Sequence, residues 1–248
     1  MVGAGLLVAG VSAYAFIALS ARVLGKVESA PLSAQWSLVF LLGPGLFLPI
    51  EQEVSRALAE RRARGVGGAP VVRRAATIGV GLALAVLVIL IATARWSVDE
   101  LFDHQLLLLV GLAFGLVGAL GGHLTRGCLS GTSNFKAYGT YIGADGFIRV
   151  LGAIVCAVIG FDVAGPFGIA VGIAGLLAVP VALKVQRPKL DEGPEAKLAE
   201  VGSALSLLLI ASLCAFALMN IGPVLVKLLA SDDQAAACLL YTSDAADE

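Results

Sequence analysis

The sequence predicts an all-α polytopic transmembrane bundle of about seven helices, and three observations carry that expectation. Hydrophobic residues make up 58% of the 248 residues and charged residues only 14%, far from the balance of a water-soluble domain. Seven long apolar stretches follow one another with short polar gaps between them. The basic residues collect in alternate gaps. Arg56, Arg61, Arg62, Arg64, Arg73 and Arg74 fall in the second gap, Arg126, Lys136 and Arg149 around the fourth, and Lys184, Arg187, Lys189 and Lys197 in the sixth. The other side holds Arg22, Lys26, Arg95 and Lys227. Cationic loops resist translocation, so the rich side is expected in the cytoplasm together with the N-terminus, in a multi-pass protein of the cell membrane.

Each span follows from length and polarity. The first covers about 3–24, with no charge before Arg22 and no basic region ahead of it, so it reads as a mature span rather than a signal peptide. The second covers about 32–50. Gly43-Pro44-Gly45 and Pro49 within it predict a kink, because proline removes an intrahelical hydrogen bond. Residues 51–64 read as a cytoplasmic continuation of this helix, with Val54, Ala57 and Leu58 on one side and Glu60 four residues before Arg64. The third span, about 75–94, carries no charge over a length that matches ~30 Å of hydrocarbon. The fourth, fifth, sixth and seventh cover about 106–124, 141–161, 166–183 and 204–229. Trp36 and Trp96 are expected at the outer interface, where amphipathic rings prefer to sit.

Glycines Gly111, Gly115, Gly118 and Gly122 in the fourth span, and Gly165, Gly168, Gly172 and Gly175 in the sixth, recur every three or four residues. Such a stripe lies on one helical face and permits backbone-to-backbone packing in lipid. The four cysteines show no paired spacing and read as small apolar residues. His104 and His123 stand near opposite ends of the fourth span, too far apart along it to share a metal or a proton relay. No zinc-protease, phosphate-loop or nucleophile-elbow pattern is present, so neither catalysis nor a bound cofactor or metal is expected. A net charge of −1 implies no attraction to nucleic acid.

The candidate site rests on ionisable residues within spans, since an unpaired charge near the bilayer centre costs roughly 2.5–3.5 kcal/mol. Asp145 and Arg149 stand four apart near the start of the fifth span, so they can pair. Either the pair only stabilises the helix or Arg149 is a cavity cation for a phosphate-bearing substrate. Arg22 and Lys227, near outer helix ends, are weaker candidates because each can snorkel. Asn220, followed by Gly222 and Pro223, is expected to interrupt the seventh span and expose polar backbone to a cavity.

Three segments carry a resemblance. Ala21-Arg22-Val23-Leu24-Gly25, the run Arg126-Gly127-Cys128-Leu129-Ser130-Gly131 followed by Phe135 and Tyr138-Gly139, and Asn220-Ile221-Gly222-Pro223 together resemble oligosaccharide and polysaccharide flippases. These belong to the multidrug/oligosaccharidyl-lipid/polysaccharide superfamily, a MATE-like group. After Gly25 the chain departs from the family, with Lys26-Val27-Glu28 in place of Pro-Glu-aromatic. The resemblance implies an N-terminal six-helix lobe over 1–183, a cytoplasmic linker over 184–203, and over 204–237 a seventh helix opening a second lobe. It also implies lobes that rock to move a polyprenyl-pyrophosphate-linked oligosaccharide from the inner to the outer leaflet. The implied partners are the bilayer, that lipid-linked oligosaccharide, and the polysaccharide polymerase and glycosyltransferases of the same assembly line. A single lobe cannot enclose the path, so residues 1–237 alone are expected to be inactive. Residues 238–248, CLLYTSDAADE, resemble an in-frame translation of an adapter used in preparing sequencing libraries, and are expected to be no part of the natural protein.

Two rival functions remain open at this stage. One is a drug or cation antiporter of the same superfamily, which a carboxylate deep in a span would favour; Asp145 near a helix end argues against it. The other is a non-transporting scaffold for polysaccharide assembly.

Overall fold

The computed structural model describes residues 2–196 and 205–229. The first two predicted spans form one long helix, α1 (Val2–Ala63), broken only at Gly25 (φ 72°, ψ −177°). Glycine tolerates this positive φ, and one such residue turns the chain back on itself. The expected gap from 25 to 31 therefore shrinks to a single residue, and Pro31 lies inside the second arm. The kink expected around Pro44 and Pro49 is not a dihedral break, because Gly25 is the one non-helical residue inside α1.

The remaining described elements are α2 (Ala69–Ala92), a short α3 (Ala94–Trp96) running into a π-helical turn (Ser97–Leu101), α4 (Leu106–Gly131), α5 (Phe135–Ile159), α6 (Ala164–Val185) and α7 (Leu205–Leu229). Among the described residues six helices are long and apolar enough to cross a membrane, α1 counting once for its two arms. One end of the bundle gathers the turns at 64–68, 132–134 and 186–196, the basic end. The opposite end gathers Gly25, the stretch 97–105 and the turn at 160–163.

The glycine stripes meet each other. A Cβ on Gly172 would overlap the carbonyl of Gly111, and one on Gly111 would overlap the carbonyl of Gly168, so α4 and α6 pack backbone to backbone. The second arm of α1 closes on the same seam. Gln35, fully buried, donates through Nε2 to Leu108 O at 3.1 Å and Gly168 O at 3.0 Å, tying three helices at one point. Apolar clusters fill the spaces above and below, with Phe16, Phe102, Leu108 and Phe167 toward the end opposite the basic turns and Phe47, Ile50, Val54 and Val71 toward the basic end.

The cytoplasmic continuation expected beyond Ile50 is helical to Ala63. Val54, Ala57 and Leu58 are buried, and Arg64 pairs with Glu60 at 2.6 Å. The segment 186–196 lies across the turn after α1. Arg61 Nη1 donates to Gly67 O and Pro194 O, both at 2.9 Å, and Ala69 N donates to Asp191 O at 3.0 Å. The rest of the expected linker (197–203), the first expected residue of the seventh helix (204), the stretch 230–237 and the adapter-like tail lie outside the described residues.

Two expectations need correction here. α5 begins at Phe135 rather than near 141, because Asn134 follows Ser133 at φ 62° and the helix starts directly after that turn. Asp145 and Arg149 thus lie ten and fourteen residues into a 25-residue helix, not near its start. α7 is continuous through Asn220, Gly222 and Pro223, so the expected interruption is absent. The side-chain amide of Asn220 instead donates to Phe216 O at 3.0 Å, within the helix.

Candidate functional site

Arg149 lies ten residues before the end of α5, about 15 Å from that end by helical rise. Half of a ~30 Å hydrocarbon slab is the same distance, which puts this cation at mid-depth. Its side chain is 9% exposed and pairs with Asp145 Oδ2 at 2.5 Å, one turn earlier on the same helix. Two rings from the second arm of α1 lie beside it, with the guanidinium carbon 5.2 Å from the ring centres of both Trp36 and Phe40. Trp36 also stacks on Phe16 of the first arm at 5.2 Å. The expectation of Trp36 at the outer interface is therefore wrong: it lines the interior beside Arg149, whereas Trp96 is half-exposed at the end opposite the basic turns. Arg149 keeps one donor in reserve. Its Nε is buried with no hydrogen-bond partner among the described residues, while the Asp145 side chain retains 25% exposure.

A second charged group lies between this centre and the basic end. Glu51 of α1, 6% exposed, accepts from Arg126 Nε at 2.9 Å and from Tyr138 Oη at 3.0 Å, and also pairs with Arg126 Nη2. His123 Nδ1 lies 2.8 Å from the same carboxylate. Arg126 stands over the rings of Tyr138 and Tyr141 at 5.8 and 5.9 Å. Tyr138, Tyr141, Asp145 and Arg149 are spaced three, four and four along α5, one helical face. A polar file thus runs up α5 from the basic turns to mid-depth.

The structure brings together two of the four sequence-predicted residues, Asp145 and Arg149. Arg22 is exposed less than a turn before Gly25, at the end of the first arm, and Asn220 is engaged with its own helix. Lys227 does not snorkel: it is buried and pairs with Asp103 Oδ2 at 2.8 Å. The sequence reading missed Trp36 and Phe40 as neighbours of Arg149, and the whole Glu51 group. A signal for Glu51 was present, since it shares a face with Val54 and Leu58 at i, i+3 and i+7.

No protein-family model and no curated protein sequence matches this chain. A solved structure described as the inward-facing conformation of a multidrug resistance MATE family transporter of the MOP superfamily is similar, with a TM-score of 0.62 over 93% of this chain at 13% sequence identity. The chain spans 56% of that protein's length. At this identity the likeness is one of fold, and the fold is that of a transmembrane helical bundle like a lobe of a MATE transporter.

Proposed function

We propose that this chain is the first lobe of a transporter that flips a polyprenyl-pyrophosphate-linked oligosaccharide between leaflets, with its basic end and N-terminus in the cytoplasm. The MATE-like fold supports transport, and the observation that carries the substrate is Arg149. A cation held at mid-depth costs several kcal/mol unless something uses it, and Asp145 satisfies only part of it. The spare Nε–H, adjoining the guanidinium face packed on Trp36 and Phe40, suits a phosphate oxygen arriving with sugar rings that can stack on the aromatic walls. The polyprenyl tail stays in the bilayer while the headgroup follows the polar file past Tyr141 and Asp145. A second lobe closes the other side of the path and alternates its opening. Carried on the intact full-length protein in proteoliposomes, Arg149→Ala is expected to lower flipping of a fluorescent lipid-linked oligosaccharide at least tenfold, with partial rescue by Arg149→Lys. Wild-type flipping by the alanine variant at equal protein level sinks this reading.

One observation favours the antiporter. Asp145 is at mid-depth and partly exposed, so a shallow carboxylate is no argument against that function. Cation-driven export of a drug would need this carboxylate to bind and release the coupling ion, whereas the flippase needs it only to steady Arg149.

A further inference from the structure

At the basic end, away from the polar file, the turn after α1, the α4–α5 turn and the segment after α6 enclose a cavity of about 610 Å³. Its lining includes Arg62, Arg187 and Lys189. None of the three pairs with a carboxylate among the described residues; Arg62 donates to Thr132 O and Ser133 Oγ, both at 3.1 Å. Of the two acids in the lining, Glu192 is taken up by Arg73, which leaves Asp191 against three cations. The depth is informative. α6 has 22 residues, about 33 Å of helix, so it uses up the hydrocarbon thickness by Val185. Arg187 and Lys189 follow within four residues and fall in the headgroup layer rather than the open cytoplasm.

We infer that this cavity binds a phosphate-bearing headgroup of an anionic lipid. A phosphodiester fits the excess of cations, a cavity of this size admits a glycerol-phosphate headgroup, and acyl chains continue naturally into the bilayer from this level. One wall is the 186–193 segment itself, which Asp191 O and Arg73 fasten to the start of α2. A bound headgroup therefore also bridges α1 to the stretch leading toward α7. The site lies apart from Arg149 and does not depend on what the transporter carries.

The test counts lipids retained by the purified full-length protein in native mass spectrometry, with phosphatidylglycerol or phosphatidylcholine as the probe. Wild type is expected to retain one more phosphatidylglycerol than the Arg187→Gln/Lys189→Gln variant, whose affinity falls roughly fivefold per cation removed, and phosphatidylcholine is not retained by either. A control variant, Arg74→Gln/Lys136→Gln, removes the same charge from exposed positions outside the cavity and is expected to behave as wild type. Inorganic phosphate at millimolar concentration separates the sources: it leaves the lipid in place if the headgroup is the ligand. Displacement by phosphate alone overturns the lipid assignment. Equal retention by wild type and the cavity variant, or equal loss in the control, overturns the site.

Discussion

Two ion-paired arginines on neighbouring helices show opposite arrangements. Arg126 on α4 meets a carboxylate from α1, an aromatic hydroxyl from α5 joins the same acid, and His123 closes the group. Three helices are fastened by it, and the acid accepts from both the guanidinium and the tyrosine hydroxyl. Arg149 on α5 has its acid on its own helix, an unpartnered Nε and rings rather than carboxylates across the gap. A salt bridge within one helix fastens nothing to anything else. The first arrangement is how a bundle holds its shape; the second leaves a donor waiting, at mid-depth, where an idle charge is costly. Exposure separates the two only modestly, at 20% for the Arg126 side chain and 9% for that of Arg149. The distinguishing feature is how completely each charge is paired.

The contrast can be broken by experiment, most strongly at Glu51. Glu51→Ala strips Arg126 of its acid and leaves a partly buried guanidinium uncompensated, which costs up to about 3–5 kcal/mol. Thermal unfolding of the purified full-length protein is expected to shift far downward and its yield to fall. A variant as stable as wild type would show that the group fastens nothing. Arg149→Ala should do the reverse. It removes an intrahelical pair and ring contacts worth about 1–2 kcal/mol, so the protein folds, yet flipping is lost. Instability equal to that of Glu51→Ala would erase the difference between the two sites.

The number and order of membrane-crossing segments were legible because each is a contiguous apolar run of bilayer length, and the glycine stripes were legible because their period matches the helix. The Asp145–Arg149 pair was legible for the same local reason. What escaped is non-local. Glu51 finds His123, Arg126 and Tyr138 only after α1, α4 and α5 assemble, 72 to 87 residues apart in sequence. Apolarity also misplaced a boundary. The first turns of α5 contain Lys136, Tyr138 and Thr140, polar enough to look like loop, which makes the expected helix start too late and Arg149 too shallow. The preference of tryptophan for membrane interfaces likewise points Trp36 to the outer interface, although Phe16 and Phe40 hold it inside.

The position of Asp145 gives a finer cut between the two transport readings. Asp145→Asn keeps the shape and a hydrogen-bond acceptor for Arg149 but cannot take up or release a coupling cation. For the flippase, rates are expected within about threefold of wild type, because the phosphate contact belongs to Arg149. For the antiporter, cation-driven uptake of a fluorescent drug into vesicles would vanish in this variant and not in Arg149→Lys.

Two sequence-nominated residues supply the smallest expected effects and the cleanest negative controls. Arg22 is exposed near the Gly25 turn and Asn220 bonds only to its own helix. Arg22→Ala should change stability by no more than about 0.5 kcal/mol, and Asn220→Ala by about 0.5–1.5 kcal/mol for one intrahelical hydrogen bond. Neither should change flipping more than about twofold, because neither shares a contact with the Arg149 centre. If Asn220→Ala stops flipping while unfolding at the wild-type temperature, then α7 opens in another state of the transport cycle. The substrate path would then include the backbone around Gly222 and Pro223, which this conformation keeps helical.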